Sequence, residues 1–174
     1  MKKQTIYYDC DANLEIIKGL RVGIIGYGIQ GRAQALNLRD SGIDVRVSNR
    51  SDNYISELEE DGFTNTDLVD LCATSDIIML LIPDQAHKEI YDNFIDKNIK
   101  DGSMVIVAHG YSLYYQSIVP KDNIDIALLA PRMPGYPIRE SYINKGGIPA
   151  FVDVVQDSSN QAKAKVLALA KAVG

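Results

Sequence analysis

The chain has 174 residues, 46% of them apolar and 24% charged, with 18 Lys and Arg against 23 Asp and Glu for a formal net charge of -5. This is one domain of ordinary globular composition, and its acidity argues against nucleic acid or an anionic membrane as the main partner. Cys10 and Cys72 match no zinc or disulfide spacing, the longest apolar run (Ile77 to Ile82) is too short to span a bilayer, and the start MKKQTIYYDC lacks a signal peptide's apolar stretch, so a cytoplasmic protein is expected.

Residues 1–19 read as a short arm, in which Tyr7 and Tyr8 alternate with polar neighbours and Lys18-Gly19 turns into the first strand. Val22 to Ile25 is that strand, followed by Gly26-Tyr27-Gly28-Ile29-Gln30-Gly31. Ile29, Ala33 and Leu36 then fall at i, i+4 and i+7, the inward face of a helix that Gly42 ends. Strand, glycine turn and helix in that order form a dinucleotide-binding fingerprint. Gly26 permits the tight turn, Gly28 lets a pyrophosphate approach bare backbone, and Gly31 lets helix and strand pack closely. The helix N-terminus offers unpaired N–H groups and a partial positive charge to the phosphates.

Asp44 to Ser48 alternates like a second strand, and Asn49 to Asn53 is a polar loop. A helix follows from about Tyr54 to Asp61, with Ile55 and Leu58 inward and Gly62 as its stop. Its acidic group, Glu57, Glu59, Glu60 and Asp61, has no His or Cys beside it and reads as a solvated face rather than metal ligands. Thr66 is placed to cap a short helix carrying Leu68, Leu71 and Cys72, the last expected in the core. Asp76 to Pro83 is an unbroken apolar run, as a parallel strand covered on both faces requires. Asp84 would cap the next helix, with Ala86, Ile90 and Phe94 facing the core. Met104 to Ala108 is the fourth strand, and a brief helical segment ends at Pro120. Ile124 to Ala130 is the fifth strand, and Pro131, Pro134, Gly135 and Pro137 form a stiff loop. Gly146-Gly147 and Pro149 lead to a sixth strand, Ala150 to Val155. The last helix starts at about Ser159 and sets Val166, Leu169, Ala170 and Val173 on one face. The whole predicts a single α/β domain, a doubly wound, mostly parallel Rossmann sheet with right-handed crossovers over residues 1–174.

The end of the second strand is where a nicotinamide dinucleotide presents its ribose. Asn49, Arg50 and Ser51 stand there, and Arg50 suits a 2′-phosphate, which favours NADP. Asp52 opposes that reading and keeps NAD open, and Arg50 as a plain solvated arginine is the alternative. His109 ends the fourth strand, where ligands of open α/β sheets bind, and a histidine there is a plausible proton donor or acceptor. His87, on the first turn of a helix, reads as a cap or an exposed residue.

Six stretches occur in a fixed order: Tyr7 to Leu14, Ile24 to Gly31, Ala35 to Gly42, Leu81-Ile82-Pro83-Asp84, Ala108-His109-Gly110 and Ala130-Pro131-Arg132-Met133-Pro134-Gly135. Together they resemble the N-terminal domain of the ketol-acid reductoisomerase family, also called acetohydroxyacid isomeroreductase. That family converts acetohydroxyacids to dihydroxyacids on the route to valine, isoleucine and leucine, with NADPH and two magnesium ions. The resemblance implies that Tyr27, Gly28, Ile29 and Gln30 form the pyrophosphate turn and that Arg50 and Ser51 face the 2′-phosphate. It places Asp84, Gln85, Ala86 and His87 beside the adenosine and Gly135 near the nicotinamide. His109 matches the active-site histidine. Arg132 stands where the family carries a lysine, keeping the charge but changing its shape. The magnesium ligands belong to a C-terminal helical domain that would begin after Gly174, so no metal ligand is assigned here. The chain alone is then expected to bind cofactor without isomerising substrate, or else to be a stand-alone, non-catalytic NADP-binding module. A different small Rossmann reductase is the third alternative. The oligomeric state stays open.

Overall fold

The computed structural model describes residues 5–174, so the first four residues of the arm lie outside it. Six strands, β1 (Arg21–Ile25), β2 (Asp44–Ser48), β3 (Ile77–Leu80), β4 (Met104–Val107), β5 (Asp125–Pro131) and β6 (Ala150–Gln156), form one sheet in the order β2-β1-β3-β4-β5-β6. The first five are parallel, in the expected doubly wound arrangement. β6 instead runs antiparallel, with Ala130 opposite Phe151 and Leu128 opposite Asp153, so the last connection is not a crossover. The reason lies at its entrance. Arg132 N–H donates to Pro149 O at 3.0 Å and Pro131 pairs with Ala150, so the sixth strand starts where the fifth stops and must run back.

Helices cover both faces. They are α1 (Ile29–Asp40), α2 (Tyr54–Glu60), α3 (Leu68–Thr74), α4 (Asp84–Ile90), α5 (Asp96–Asn98), α6 (Tyr111–Tyr114), α7 (Gly135–Ile143) and α8 (Ala162–Val173). Neighbours along β3 go to opposite cores: Ile77 and Met79 join α1 and α8, while Ile78 and Leu80 join Leu71, Cys72, Tyr91 and Ile95. This two-sided burial explains the uninterrupted apolar run, and each such side chain contributes roughly 1.5–3 kcal/mol. Cys72 is fully buried, and burial pushes its thiol up to about 12, so it is an inert core residue. Among the described residues no helix is long and apolar enough to cross a membrane.

Several local expectations are corrected. The arm is docked by single 3₁₀ turns at Asp9–Asp11 and Leu14–Ile16, with Ile17 fully buried and Lys171 Nζ donating to Asp9 O at 2.8 Å. Ile29 is exposed, so the inward face of α1 starts at Gly31 and Ala33. Asp67, not Thr66, caps α3 by accepting from Val69 N and Asp70 N. Asp84 is the first residue of α4 and makes no cap bond; Pro83 occupies the cap position. The inward face of this segment lies one residue along from the expected one: His87, Tyr91 and Ile95, at i, i+4 and i+8, are innermost and Ile90 and Phe94 only flank them, with a π-helical turn over Tyr91–Ile95. α8 starts at Ala162, and Ala170 is only partly buried.

The stiff loop is shorter than expected, because α7 follows it. Pro137 sits in the first turn of α7, where a missing N–H costs nothing. α7 lies along α1 from end to end: Arg139 Nη1 donates to Asn37 Oδ1 at 2.8 Å, and Ser41 Oγ and Tyr142 OH are 2.8 Å apart. Asn37 is buried, and its Nδ2 donates to Val173 O at 2.7 Å, tying in α8 as well. A fully buried Asp125 anchors the other end of α8, accepting from Ser159 N, Ser159 Oγ and Lys165 Nζ at 2.9, 2.6 and 2.9 Å.

Candidate functional site

β1, β3, β4 and β5 are adjacent and parallel, so their C-terminal ends line one edge of the sheet. The glycine turn leaves β1 at that edge. Gly26 has φ +101°, and a Cβ there would meet Leu81 O at 2.7 Å. At Gly31 a Cβ would come within 2.0 Å of Gly26 O, so the helix can approach the strand only without a side chain. Gly28, the N-cap of α1, is the opposite case: a Cβ would meet nothing within 4 Å. The backbone is therefore bare where the first N–H groups of α1 lack helical partners, a cradle that fits a pyrophosphate.

The turn is held from behind by a polar network. Tyr27 N donates to Asn49 Oδ1 at 2.9 Å, while its fully buried ring sends its hydroxyl to Asp61 Oδ2 at 2.8 Å. Tyr27 thus supports the turn from within the core and offers no side chain to a ligand. Arg32 Nε and Nη1 donate to Asp61 Oδ2 and Glu57 Oε2 at 2.6 and 2.7 Å. The acidic face of α2 is accordingly not wholly solvated; two of its carboxylates grip α1. Burial pushes the Tyr27 phenol well up, with the Asp61 carboxylate adding to it. Burial also pushes the Asp61 carboxyl up, but the bonds from Arg32 and Tyr27 outweigh that and hold it below the usual range.

After β2, Ser51 is exposed and Arg50 projects into solvent with its side chain 88% exposed, its Nε 2.9 Å from Asp52 Oδ2. Asp52 does not confront the ligand side as a free carboxylate. Its Oδ1 accepts from Asn49 Nδ2 at 2.8 Å and Tyr54 N at 3.0 Å, and the bond from Arg50 above all lowers its titration below the usual range. Asn49 thereby links this loop to the glycine turn, a role that its sequence position does not signal.

The segment after β5 is docked on the glycine turn. Gln30 Nε2 donates to Met133 O at 2.9 Å, and at Gly135 a Cβ would come within 1.7 Å of Ile29 O. Gly135 is buried, so what it supplies is close backbone approach. Arg132 is exposed, with its guanidinium 4.8 Å from the centre of the Phe151 ring. Gly28, Ile29, Arg32, Tyr54, Gly135 and Tyr136 line part of a groove of about 360 Å³ beside the turn.

His109 follows β4, two strands from β1 and so about 10 Å away at ordinary strand spacing. It is 71% exposed, and its Nδ1 lies 3.2 Å from Asp84 Oδ2. Gln85 is exposed and Ala86 half-buried on α4. His87 is buried, not exposed: Nδ1 is 2.8 Å from Ser112 Oγ and Nε2 is 3.0 Å from Ile82 O. Its helical position suggested a cap, but both ring nitrogens find partners within the core. The Asp84–His109 pair spans 25 residues, and no sequence pattern signals it. Among the described residues no group of three or more His, Cys, Asp or Glu is placed to hold a metal ion.

A doubly wound sheet whose first turn carries bare glycine backbone at a helix N-terminus defines a dinucleotide-binding domain of the Rossmann type. Residues 16–174 match the family model for the NADPH-binding domain of acetohydroxy acid isomeroreductase. The chain belongs to that family. It is 40% identical over 170 residues to the ketol-acid reductoisomerase (NADP(+)) of Psychrobacter sp. (strain PRwf-1), covering 97% of this chain and 50% of that one. The Psychrobacter arcticus protein of the same name is 41% identical over 170 residues, again with 97% and 50% covered. The chain thus spans about half the length of the curated relatives it matches. Among solved structures, an NADH-preferring ketol-acid reductoisomerase from an uncultured archaean superposes with a TM-score of 0.94 at 31% identity, covering 98% of this chain and 53% of that one. A semialdehyde dehydrogenase NAD-binding protein from Cupriavidus necator (TM-score 0.76, 18% identity, 88% and 59% covered) shares the fold.

Proposed function

We propose that the chain is the cofactor-binding half of a cytoplasmic ketol-acid reductoisomerase, an oxidoreductase acting on acetohydroxyacids in branched-chain amino-acid biosynthesis. The observation that carries this reading is the open cradle at Gly28, set between two glycines that cannot accept a side chain, in a chain matched to that family over residues 16–174. The bound dinucleotide supplies a hydride to the substrate carbonyl. The chain's own groups bind and orient it. The N–H groups at the start of α1 hold the pyrophosphate, and Arg50 and Ser51 receive the 2′-phosphate, favouring NADPH. Asp84, Gln85 and Ala86 border the adenosine side. His109 holds or moves a proton at the strand ends, and Arg132 offers a cation there. His87 acts from within the core and Gly135 through its backbone.

NADH remains a usable partner, in keeping with the archaean relative, which is an NADH-preferring reductoisomerase. The alkyl migration, which the family carries out with two magnesium ions, is assigned, as the family resemblance implies, to carboxylates of a second, helical domain. One observation favours a second reading, a non-catalytic NADP-binding module: the Arg132 guanidinium, where the family carries a lysine, lies 4.8 Å from the centre of the Phe151 ring.

Titrating the chain with NADPH and NADH by nucleotide fluorescence, then assaying acetolactate turnover with magnesium, tests the proposal. Tight NADPH binding without turnover, and turnover restored by a reductoisomerase C-terminal domain added in trans, is the expected result. Binding without rescue selects the module. Failure to bind either nucleotide overturns both.

A further inference from the structure

Asn49 follows directly on β2, and both ends of its side chain are engaged. Tyr27 N–H, in the glycine turn, donates to Oδ1 at 2.9 Å, which turns Nδ2 toward Arg50 O at 3.0 Å and Asp52 Oδ1 at 2.8 Å, both acceptors. The partners admit the amide in one orientation only. Its backbone is held as well. Asn49 N donates to Asn65 Oδ1 at 2.8 Å, and Asn65 Nδ2 donates to Asn49 O at 3.0 Å. The Asn65 side chain thus prolongs the parallel bridge that pairs Asn65 with Val47 beside β2, and Asn49 is fixed by groups outside the loop that follows it.

Arg50 and Asp52 have no such anchor of their own. Asp52 Oδ1 also accepts from Tyr54 N at 3.0 Å, and Oδ2 accepts from Arg50 Nε at 2.9 Å, but these partners are local and move with the loop. Among the described residues, no hydrogen bond except those through Asn49 joins residues 50–53 to the glycine turn. We propose that Asn49 is a positioning residue for cofactor choice: it ties the Arg50–Asp52 pair to the glycine turn and so holds the guanidinium at a set place relative to the pyrophosphate cradle. The two ends of the side chain then act on different parts of a dinucleotide. The Tyr27 end steadies the turn, which NADPH and NADH use alike. The Asp52 end places Arg50, whose 2′-phosphate partner only NADPH carries. With that tie cut, Arg50 must be ordered at the moment of binding, a cost that falls on NADPH alone.

This inference rests on the proposed reading of Arg50 as the group that receives the 2′-phosphate. Fluorescence titrations of NADPH and NADH on wild type, Asn49→Ala, Arg50→Ala and the double variant test it. Asn49→Ala is expected to weaken both nucleotides and to lower the NADPH-to-NADH affinity ratio by about threefold to tenfold, the cost of ordering one long side chain on binding. In the Arg50→Ala background the same substitution should weaken both nucleotides equally and leave the ratio unmoved. A merely structural role would weaken both equally in either background. An unchanged ratio in folded Asn49→Ala therefore overturns the proposal, and so does a fall of the same size without Arg50. Melting of the nucleotide-free variants certifies the fold. If Asn49→Ala does not fold, Asn49→Leu, which fills the half-buried site without a polar atom, takes its place in the cycle and the same outcomes decide. A ratio that drops in Arg50→Ala but not in the Asn49 variant removes this inference alone, whereas a ratio indifferent to Arg50→Ala removes the reading of Arg50 with it.

Discussion

Gly135 lies so close to Ile29 that a Cβ on it would come within 1.7 Å of the Ile29 carbonyl oxygen. The obstacle is backbone in the first turn of α1, the turn proposed to cradle the dinucleotide, so nothing there can swing aside. Gly135→Ala must push α7 off α1 and strain the Gln30–Met133 bond. Urea denaturation is expected to show a loss at or above the ~1–3 kcal/mol typical of overpacking. An unchanged midpoint would mean that the two helices slide freely.

The glycines of the turn separate into two classes that one experiment distinguishes. Gly31→Ala meets Gly26 O at 2.0 Å and is expected to lower thermal stability strongly, whether or not nucleotide is present. Gly28→Val meets open space and should leave the melting temperature of the free chain nearly unchanged. Its side chain would occupy the place proposed for the pyrophosphate, however, so NADPH affinity should drop by about a hundredfold or more if the backbone N–H donors there supply the binding. Equal nucleotide affinity for Gly28→Val and wild type would move the site elsewhere.

Acid stability follows from the buried anchor at Asp125. Burial by itself raises that carboxyl, but the Ser159 hydroxyl and Lys165 more than offset this, and it titrates below the ordinary carboxylate range. A group with a depressed folded pKa contributes stability in full above its unfolded value, near 4, and loses it as pH falls through the folded value. Asp61 behaves in the same direction. The chain should therefore keep its stability down to about pH 5 and lose it progressively below about pH 4. Asp125→Asn strands Lys165, whose side chain is only 12% exposed. It is expected to cost about 3–5 kcal/mol at pH 7 and to flatten the acid limb of the stability–pH curve.

How much of this was legible in the sequence depends on the range of the interaction that decides each element. Parallel strands buried on both faces write themselves as apolar runs, and Ile77 to Leu80 could hardly be read otherwise. The three glycines could be assigned separate duties because each duty is local. What escaped was decided by distant partners. α7 was hidden behind prolines that suit a first helical turn. The inward face of the α4 segment lies one residue along from the one its apolar spacing predicts, on His87, Tyr91 and Ile95. The reversal of β6 follows from where Pro149 meets Arg132. The Asp84–His109 pair is made by two strands side by side in the sheet, and His87 became a core residue only because Ser112 and Ile82 satisfy both of its nitrogens.

If Arg50 receives the 2′-phosphate as proposed, its pairing with Asp52 in the free chain sets the terms of cofactor choice. Arg50 Nε is held by Asp52 at 2.9 Å, so a 2′-phosphate must compete with a carboxylate that is itself pinned by Asn49 and Tyr54 N. A phosphate carries more charge than one carboxylate and offers three acceptor oxygens to the guanidinium fork, so it wins the exchange. NADPH is therefore expected to bind more tightly than NADH. Arg50→Ala should weaken NADPH by about tenfold and leave NADH nearly unchanged, since NADH has no 2′-phosphate for the arginine to hold. Asp52→Asn frees Arg50 from its competitor and should widen the preference for NADPH. Arg50 is exposed to solvent, so added salt should narrow the gap between the two nucleotides. Parallel fluorescence titrations of wild type and both variants at low and high salt check all four statements. A preference for NADH in wild type, abolished in Asp52→Asn, would show that the carboxylate and not the guanidinium governs the pocket.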